Sequence, residues 1–537
     1  MFSSFTKRLT SSHFRAALIL TASTTLAALT FPDTLKASQQ QQQQQPHPSP
    51  ISYSTLRTPT PSLPPRPGAK PKPNEPVYTR SQVALNDGTD NKPTWVTYLA
   101  GVYDISSFKA IHPGGHIIGQ AAGADVGGFW EVWAHHHHSG KVGGYLEELR
   151  IGRLVEGEEE HSTDDPYDSE PIRDPSVQTI FMERPYCSET PNKALNSAYL
   201  TSPSALYVRN HAPVPECAWE PEDSTRESNV QNHEVCFERV QNGTSPTLKV
   251  SDLQSRFGTV TVTSILQCAG NRAGEDIKNT GDSGFTGTPL ERITVGMLGN
   301  AQWSGIRLSS ILPALYPEQC GKAKEHGGGE WHVVFEGADG YEGSTPLARV
   351  LDPRNDCILA THMNGEPLSP DHGYPMRALL PGIAGARNVK WLQGVSLSKV
   401  PVDAPWNEYY YKNSFGEQIQ QLPLQSIILN TTTNSQTNKL SVSGVAYSGG
   451  SGNAIARVEI STDGGKTWSS ANIKNEEIKK DQSNKSFGWV RWSANVSAEN
   501  TTEVCCRATD SEGKTQCEIS PKQRGYIYNG WSKVEVI

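Results

Sequence analysis

From Glu156 to Asp174 the chain carries acidic, serine and proline residues and almost no large apolar side chain. A stretch of that composition cannot bury enough surface to fold, so it reads as a linker (156–175) and forces separate folding units on either side. The 537 residues are in any case too many for one core and suggest about three domains. Residues 1–76 do not add to that count: a glutamine tract at Gln39 to Gln45 runs into a proline-rich stretch that ends at Pro76. The first thirty residues carry Lys7, Arg8 and Arg15 with no acid before Asp33, then turn apolar from Ala16 to Phe31. This reads as a mitochondrial presequence, with a secretory signal as the alternative. The apolar run is interrupted by Thr and Ser and is short for a membrane span, so no permanent membrane anchor is expected.

A formal net charge of -8 argues against nucleic acid and anionic membrane as partners and favours a basic protein partner. Nine cysteines, including the adjacent Cys505 and Cys506, form no CxxC framework and predict no structural zinc site.

Residues 77–155 predict a compact unit with a two-residue hairpin: strand-like Thr94 to Leu99 and Val102 to Ile105, joined at Ala100-Gly101. Residues 176–398 mix strand patterns (Thr259 to Leu266, His332 to Phe335, Gly394 to Leu397) with Gly- and Pro-rich turns and short helical patterns, which predicts an α+β domain. Residues 399–537 change to short alternating runs such as Leu440 to Ala446 and Arg457 to Ser461. The tight turn Asp463-Gly464-Gly465 completes the pattern of an immunoglobulin-like β-sandwich.

Two constellations carry chemistry. In 77–155, His112 of Ile111-His112-Pro113-Gly114-Gly115 and one of His135 to His138 could meet across a cofactor. Two imidazoles on one iron leave no open site, which suits outer-sphere electron transfer. By itself the four-histidine run reads as a solvated polar tract or an adventitious metal site. In Leu266-Gln267-Cys268-Ala269-Gly270-Asn271-Arg272, a thiol stands where a β-branched strand meets a turn. Alone, Cys268 reads as a small packed hydrophobe.

The wider pattern decides between these readings. The hairpin, the HPGG turn, Ala121-Ala122-Gly123 and Phe129-Trp130 resemble the cytochrome b5 family, which implies a haem b held by His112 and, by family spacing, His136. Everything after the linker resembles the sulfite oxidase family. The resemblance is carried by Val208-Arg209-Asn210-His211, Leu266 to Arg272, Phe335 to Asp339, Ser344 to Arg349, Asp371 to Pro375 and Gly385 to Leu392. It implies a molybdenum–molybdopterin cofactor with Cys268 as the protein's thiolate donor, since a soft ligand suits that metal. It also implies a cofactor slot formed by Tyr207, Val208, Arg209, Asn210, His211, Asp339, His372, Arg377, Lys390, Trp391 and Leu392, in which cationic and amide donors meet a phosphate tail. Arg209, Arg524 and Tyr341 are the residues it implies for an oxyanion substrate. The implied activity is oxidation of sulfite to sulfate with water, electrons passing through the haem to a cytochrome c-like acceptor. A homodimer in the mitochondrial intermembrane space is also implied.

Two departures leave the substrate open. Animal members of the family have a second pocket arginine where this chain has Ala273, and Ile293 stands nearest to an expected pocket tryptophan. A lost charge-assisted hydrogen bond would weaken dianion binding by roughly 1–3 kcal/mol. A nitrate-reductase-like oxyanion enzyme and an electron-transfer protein with a degenerate molybdenum site are the alternatives.

Overall fold

The computed structural model describes residues 70, 72–109, 112, 118–119, 121–127, 130, 140–158, 167, 170–215, 218, 223–238, 243–281, 292–325, 331–402, 404, 410–474, 485–520 and 525–536. The presequence, His136 and Arg524 lie outside them.

The first unit is a four-stranded sheet in the order Val77–Tyr78, Arg150–Leu154, Gly101–Asp104, Trp95–Tyr98. Its hairpin turns on Leu99-Ala100, one residue earlier than the composition suggests, because Gly101 pairs with Tyr98 inside the ladder. A Cβ on Gly101 would meet the Tyr103 hydroxyl at 2.3 Å, so this glycine serves packing and Leu99 takes the positive φ of 55°. Val96, Tyr98, Tyr103, Ile105, Ala121 and Trp130 form the core. Thr79 opens the helix Arg80–Ala84 with a capping box closed by Gln82.

The central unit holds two five-stranded sheets. One is built on Val260–Gln267 beside Leu298–Arg307 and Ile358–Met363; the other runs Glu342–Pro346, His332–Gly337, Leu392–Ser398, Glu234–Phe237, Thr247–Lys249. A single large apolar core, with Trp303, Phe335, Leu359 and Ile311 fully buried, joins them. The strand Val260–Gln267 is exposed at its start and buried over its last four residues, which delivers Cys268 to the interior. Arg272, with φ 65°, turns the chain into the helix Ala273–Thr280.

The last unit packs two four-stranded sheets face to face: Gln425–Asn434, Lys439–Tyr447, Val490–Ser497 and Asn472–Lys474 against Ser469–Ser470, Ile455–Ser461, Glu503–Asp510 and Ser532–Glu535. Ile428, Leu440, Val458, Ile460, Trp492 and Val504 fill the space between them. Asp463 fixes the tight turn by accepting from Lys466 N, Thr467 N and Ser461 Oγ. A separate apolar cluster containing Ile265, Leu298, Ile427, Val445 and Trp489 joins this sandwich to the central unit. The mixed α+β architecture with a C-terminal β-sandwich agrees with the sequence reading. Among the described residues, no helix is long and apolar enough to cross a membrane.

The end of the acidic linker is docked. Tyr167 is buried, Glu170 Oε1 accepts from Val214 N at 2.8 Å, and Arg173 forms a two-pronged ion pair with Asp371. Composition gives these residues to the linker, but a few polar side chains with well-placed partners suffice to hold a segment that has no apolar core of its own.

Candidate functional site

A cleft opens over the end of the strand Val260–Gln267. Of the slot residues expected from the sequence, Tyr207, Val208, Arg209, His211, Cys268, Asp339, Tyr341, His372, Arg377, Lys390 and Trp391 line it. They come from five separated segments, each ending a strand or standing in a turn.

Cys268 is 9 % exposed, and its thiol accepts from the Gly270 N–H at 3.4 Å. Burial pushes its pKa up, against the pull of that N–H and of Arg209, so the free thiol is protonated at neutral pH. A metal binding there must displace that proton. Arg209 donates from Nη1 to the Asn210 carbonyl at 2.6 Å and presents the rest of its guanidinium along the same wall.

Arg377 and Lys390 add cationic groups to the cleft lining. Arg377 is buried and donates to the carbonyls of His372 at 2.9 Å and Asn388 at 2.8 Å; burial lowers its pKa to about 10, so it stays charged at neutral pH. Lys390 Nζ donates to the Asp371 carbonyl at 2.9 Å and to Asn210 Oδ1. Burial drives its ammonium down and the Asp339 carboxyl up. Desolvation brings His372 down to about 4 and His211 well below its usual range, so both imidazoles are neutral at pH 7. Trp391 takes a positive φ of 51°, its indole N–H fixed to the Pro370 carbonyl at 2.8 Å.

Two expected slot residues stand behind the wall. Asn210 is buried and bridges, its amide donating to Asp371 Oδ1 at 3.2 Å. Leu392 begins a strand and packs its side chain into the central core, because it carries the main chain away from the slot at Trp391. Ala273 and Ile293 also lie in that core, tied by the Gly274 N–H to the Ile293 carbonyl at 3.1 Å, and neither lines the cleft.

Tyr411 is the residue sequence reasoning missed. It lines the cleft, its hydroxyl is 2.9 Å from His211 Nε2, and its ring packs on Tyr526 at 5.4 Å. His211 in turn stacks on Tyr341 at 5.4 Å, and the Tyr341 hydroxyl is held by the Ala386 carbonyl at 3.0 Å. The repeated aromatics Tyr409-Tyr410-Tyr411 were the only signal in the sequence. Although Arg524 is outside the described residues, its neighbours Gly525 and Ile527 donate to Asp276 Oδ2 at 2.8 Å and to the Ala269 carbonyl at 2.6 Å. In the first unit, His112 is half-buried with Phe108 edge-on at 5.5 Å.

A soft thiol sharing a cleft with buried cations, the Asp339 carboxyl and the Asp371 carboxylate, the latter neutralised by Arg173, fits a metal–dithiolene cofactor with an anionic tail. Residues 224–406 match the family described as "Oxidoreductase molybdopterin binding domain", and residues 416–537 match the "Mo-co oxidoreductase dimerisation domain". Residues 79–155 match the "Cytochrome b5-like Heme/Steroid binding domain". The chain is 34% identical to the mitochondrial sulfite oxidase of Rattus norvegicus over 491 residues, 86% of this chain and 84% of that one. It belongs to the sulfite oxidase family. Nitrate reductase [NADH] 1 of Phaseolus vulgaris is 31% identical, but the match covers 68% of this chain and 43% of that protein. The crystal structure of the sulfane dehydrogenase SoxCD from Paracoccus pantotrophus shares the fold, with a TM-score of 0.51 at 24% identity over 71% of this chain and 93% of that one. As a member of the sulfite oxidase family the chain carries a molybdopterin-binding domain and a cytochrome b5-type haem domain.

Proposed function

We propose that this protein oxidises sulfite to sulfate in the Cys268 cleft and passes the electrons singly through the haem unit to a cytochrome c-like acceptor. The observation that carries the reading is the buried Cys268 thiol sharing one cleft with the Arg209 guanidinium. When bound, the molybdenum cofactor supplies the two-electron redox chemistry, with Cys268 as its protein thiolate. Arg377, Lys390 and His372 would hold the anionic tail, and Asp339 would accept from the pterin.

The chain's own residues do the rest. Arg209 supplies charge for an oxyanion in the cleft, where its partial burial makes the attraction worth more than in bulk solvent. Tyr411 holds a proton at its hydroxyl against the neutral His211 ring, within the same wall. Arg524, by family resemblance, would complete the anion pocket, and His112 and His136 would bind the haem iron. The match of the C-terminal sandwich to a dimerisation domain supports a homodimer, and the mitochondrial relatives together with the basic, acid-free start support a mitochondrial protein of the intermembrane space. The acidic net charge suits a basic acceptor.

The test is anaerobic addition of sulfite to the purified holoprotein while the haem absorbance is followed. Haem reduction by sulfite is expected. No reduction by sulfite, with reoxidation of the prereduced protein by nitrate, would replace this reading with an oxyanion reductase.

A further inference from the structure

Arg173 stands outside the cleft, at the docked end of the interdomain tether, yet it is joined to the cleft wall by an unbroken chain of contacts. Its Nε and Nη2 each lie 2.7 Å from the two Asp371 carboxylate oxygens, and its guanidinium also pairs with Glu170 and covers the Tyr186 ring at 4.0 Å. The side chains of Arg173 and Asp371 are only 15% and 11% exposed. Asp371 lines the cleft; its Oδ1 accepts from the Asn210 amide at 3.2 Å and its carbonyl accepts from Lys390 Nζ. Asn210 Oδ1 accepts from the same ammonium, and the Asn210 N–H donates to the Tyr186 carbonyl at 3.0 Å beneath the Arg173 guanidinium. Lys390 is thus held from two sides by groups that Arg173 fixes.

We propose that Arg173 is a positioning residue for the cofactor cleft: by clamping Asp371 it sets Asn210 and Lys390, so that docking of the tether end and completion of the cofactor slot are one event. The inference rests on the reading that the cleft takes a molybdopterin. Charge supplies the reason an arginine is needed. Arg173 neutralises Asp371 through a planar two-pronged pair, and without it the carboxylate would turn on Lys390 and withdraw that cation from the anionic tail. A lysine at 173 could meet only one carboxylate oxygen at a time.

The test compares full-length wild type, Arg173→Ala and Arg173→Lys, each purified with its haem as an internal standard for folded protein. Molybdenum per haem and the rate of molybdenum loss after dilution are measured by elemental analysis. Loss is expected to be roughly 10–100-fold faster in Arg173→Ala, the usual effect of removing a group that orients a metal-site ligand, and intermediate in Arg173→Lys, with the haem spectrum unchanged. Wild-type loss rates in Arg173→Ala overturn the clamp, and so does a lowered melting temperature with an unchanged loss rate. If Arg173→Ala does not fold, Arg173→Lys carries the same two outcomes. A wild-type protein that contains haem but binds no molybdenum would instead overturn the reading of the cleft itself.

Discussion

The Arg272 guanidinium donates from Nη1 to the Gly530 carbonyl at 2.8 Å, so the turn that carries Cys268 is bolted to the last strand connection of the C-terminal sandwich. The same side chain reaches the Trp531 carbonyl at 3.0 Å, Gln425 Oε1 at 2.9 Å and both oxygens of Glu275 at 2.9 and 2.6 Å, over the Tyr528 ring at 4.9 Å. Arg272→Ala strands several buried carbonyls and should cost at least about 3 kcal/mol of stability. A thermal melt of the cofactor-free protein, with the transition of the C-terminal half followed by hydrogen exchange, checks this. A melting temperature within a degree of wild type would rule out the bolt.

Cys268→Ser keeps the volume and removes the soft donor. The haem spectrum should be unchanged while sulfite-dependent haem reduction disappears. Stopped-flow absorbance measures both, and retained reduction would remove Cys268 from the role of metal ligand.

Tyr411→Phe deletes one hydroxyl whose partner is His211 Nε2. The ring still packs on Tyr526, so the fold should lose only about 1 kcal/mol. Turnover should fall by roughly 10–100-fold if that hydroxyl meets a charged substrate oxygen, since such bonds contribute about 1.5–3 kcal/mol. Steady-state kinetics resolving kcat from KM decide it: equal parameters in variant and wild type would leave Tyr411 a packing residue.

His372 gives the cofactor-free protein a defined acid sensitivity. Its folded pKa of about 4 lies below the ordinary 6.5, because burial disfavours the imidazolium. Between those pH values the unfolded chain binds a proton that the folded chain does not. Stability is therefore fully present above pH 6.5 and declines toward pH 4, by up to about 3 kcal/mol at roughly 1.4 kcal/mol per unit. Urea midpoints at pH 7.5 and 4.5 should show this slope in wild type and a shallower one in His372→Gln. Parallel slopes would contradict it.

Glu170 and Arg173 are fixed to the central unit, so the acidic segment is anchored there at its C-terminal end. Deleting within residues 159–166 should slow haem reduction after sulfite addition and leave molybdenum content unchanged. The intramolecular rate after flash photolysis measures it; a rate equal to wild type would count against a haem unit that swings on this tether.

Local patterns were enough for much of this protein. The hairpin of the first unit, the strand ahead of Cys268 and the Asp463 turn each specify their structure within ten residues, since periodicity and turn chemistry act over that range. The cleft was only partly legible. Tyr411 and His211 are 200 positions apart and Arg173 and Asp371 are 198, and no short-range signal ties such pairs together. Composition even assigned Arg173 to a linker, and nothing local to Leu392 announces that its side chain turns into the core. The sequence by itself determined which chemistry the chain can hold: a thiol at a strand end, a histidine turn, cations in the later segments. Which side chains face one another was decided by the tertiary structure, because two sheets, a shared core and one buried arginine bring distant turns to a common wall.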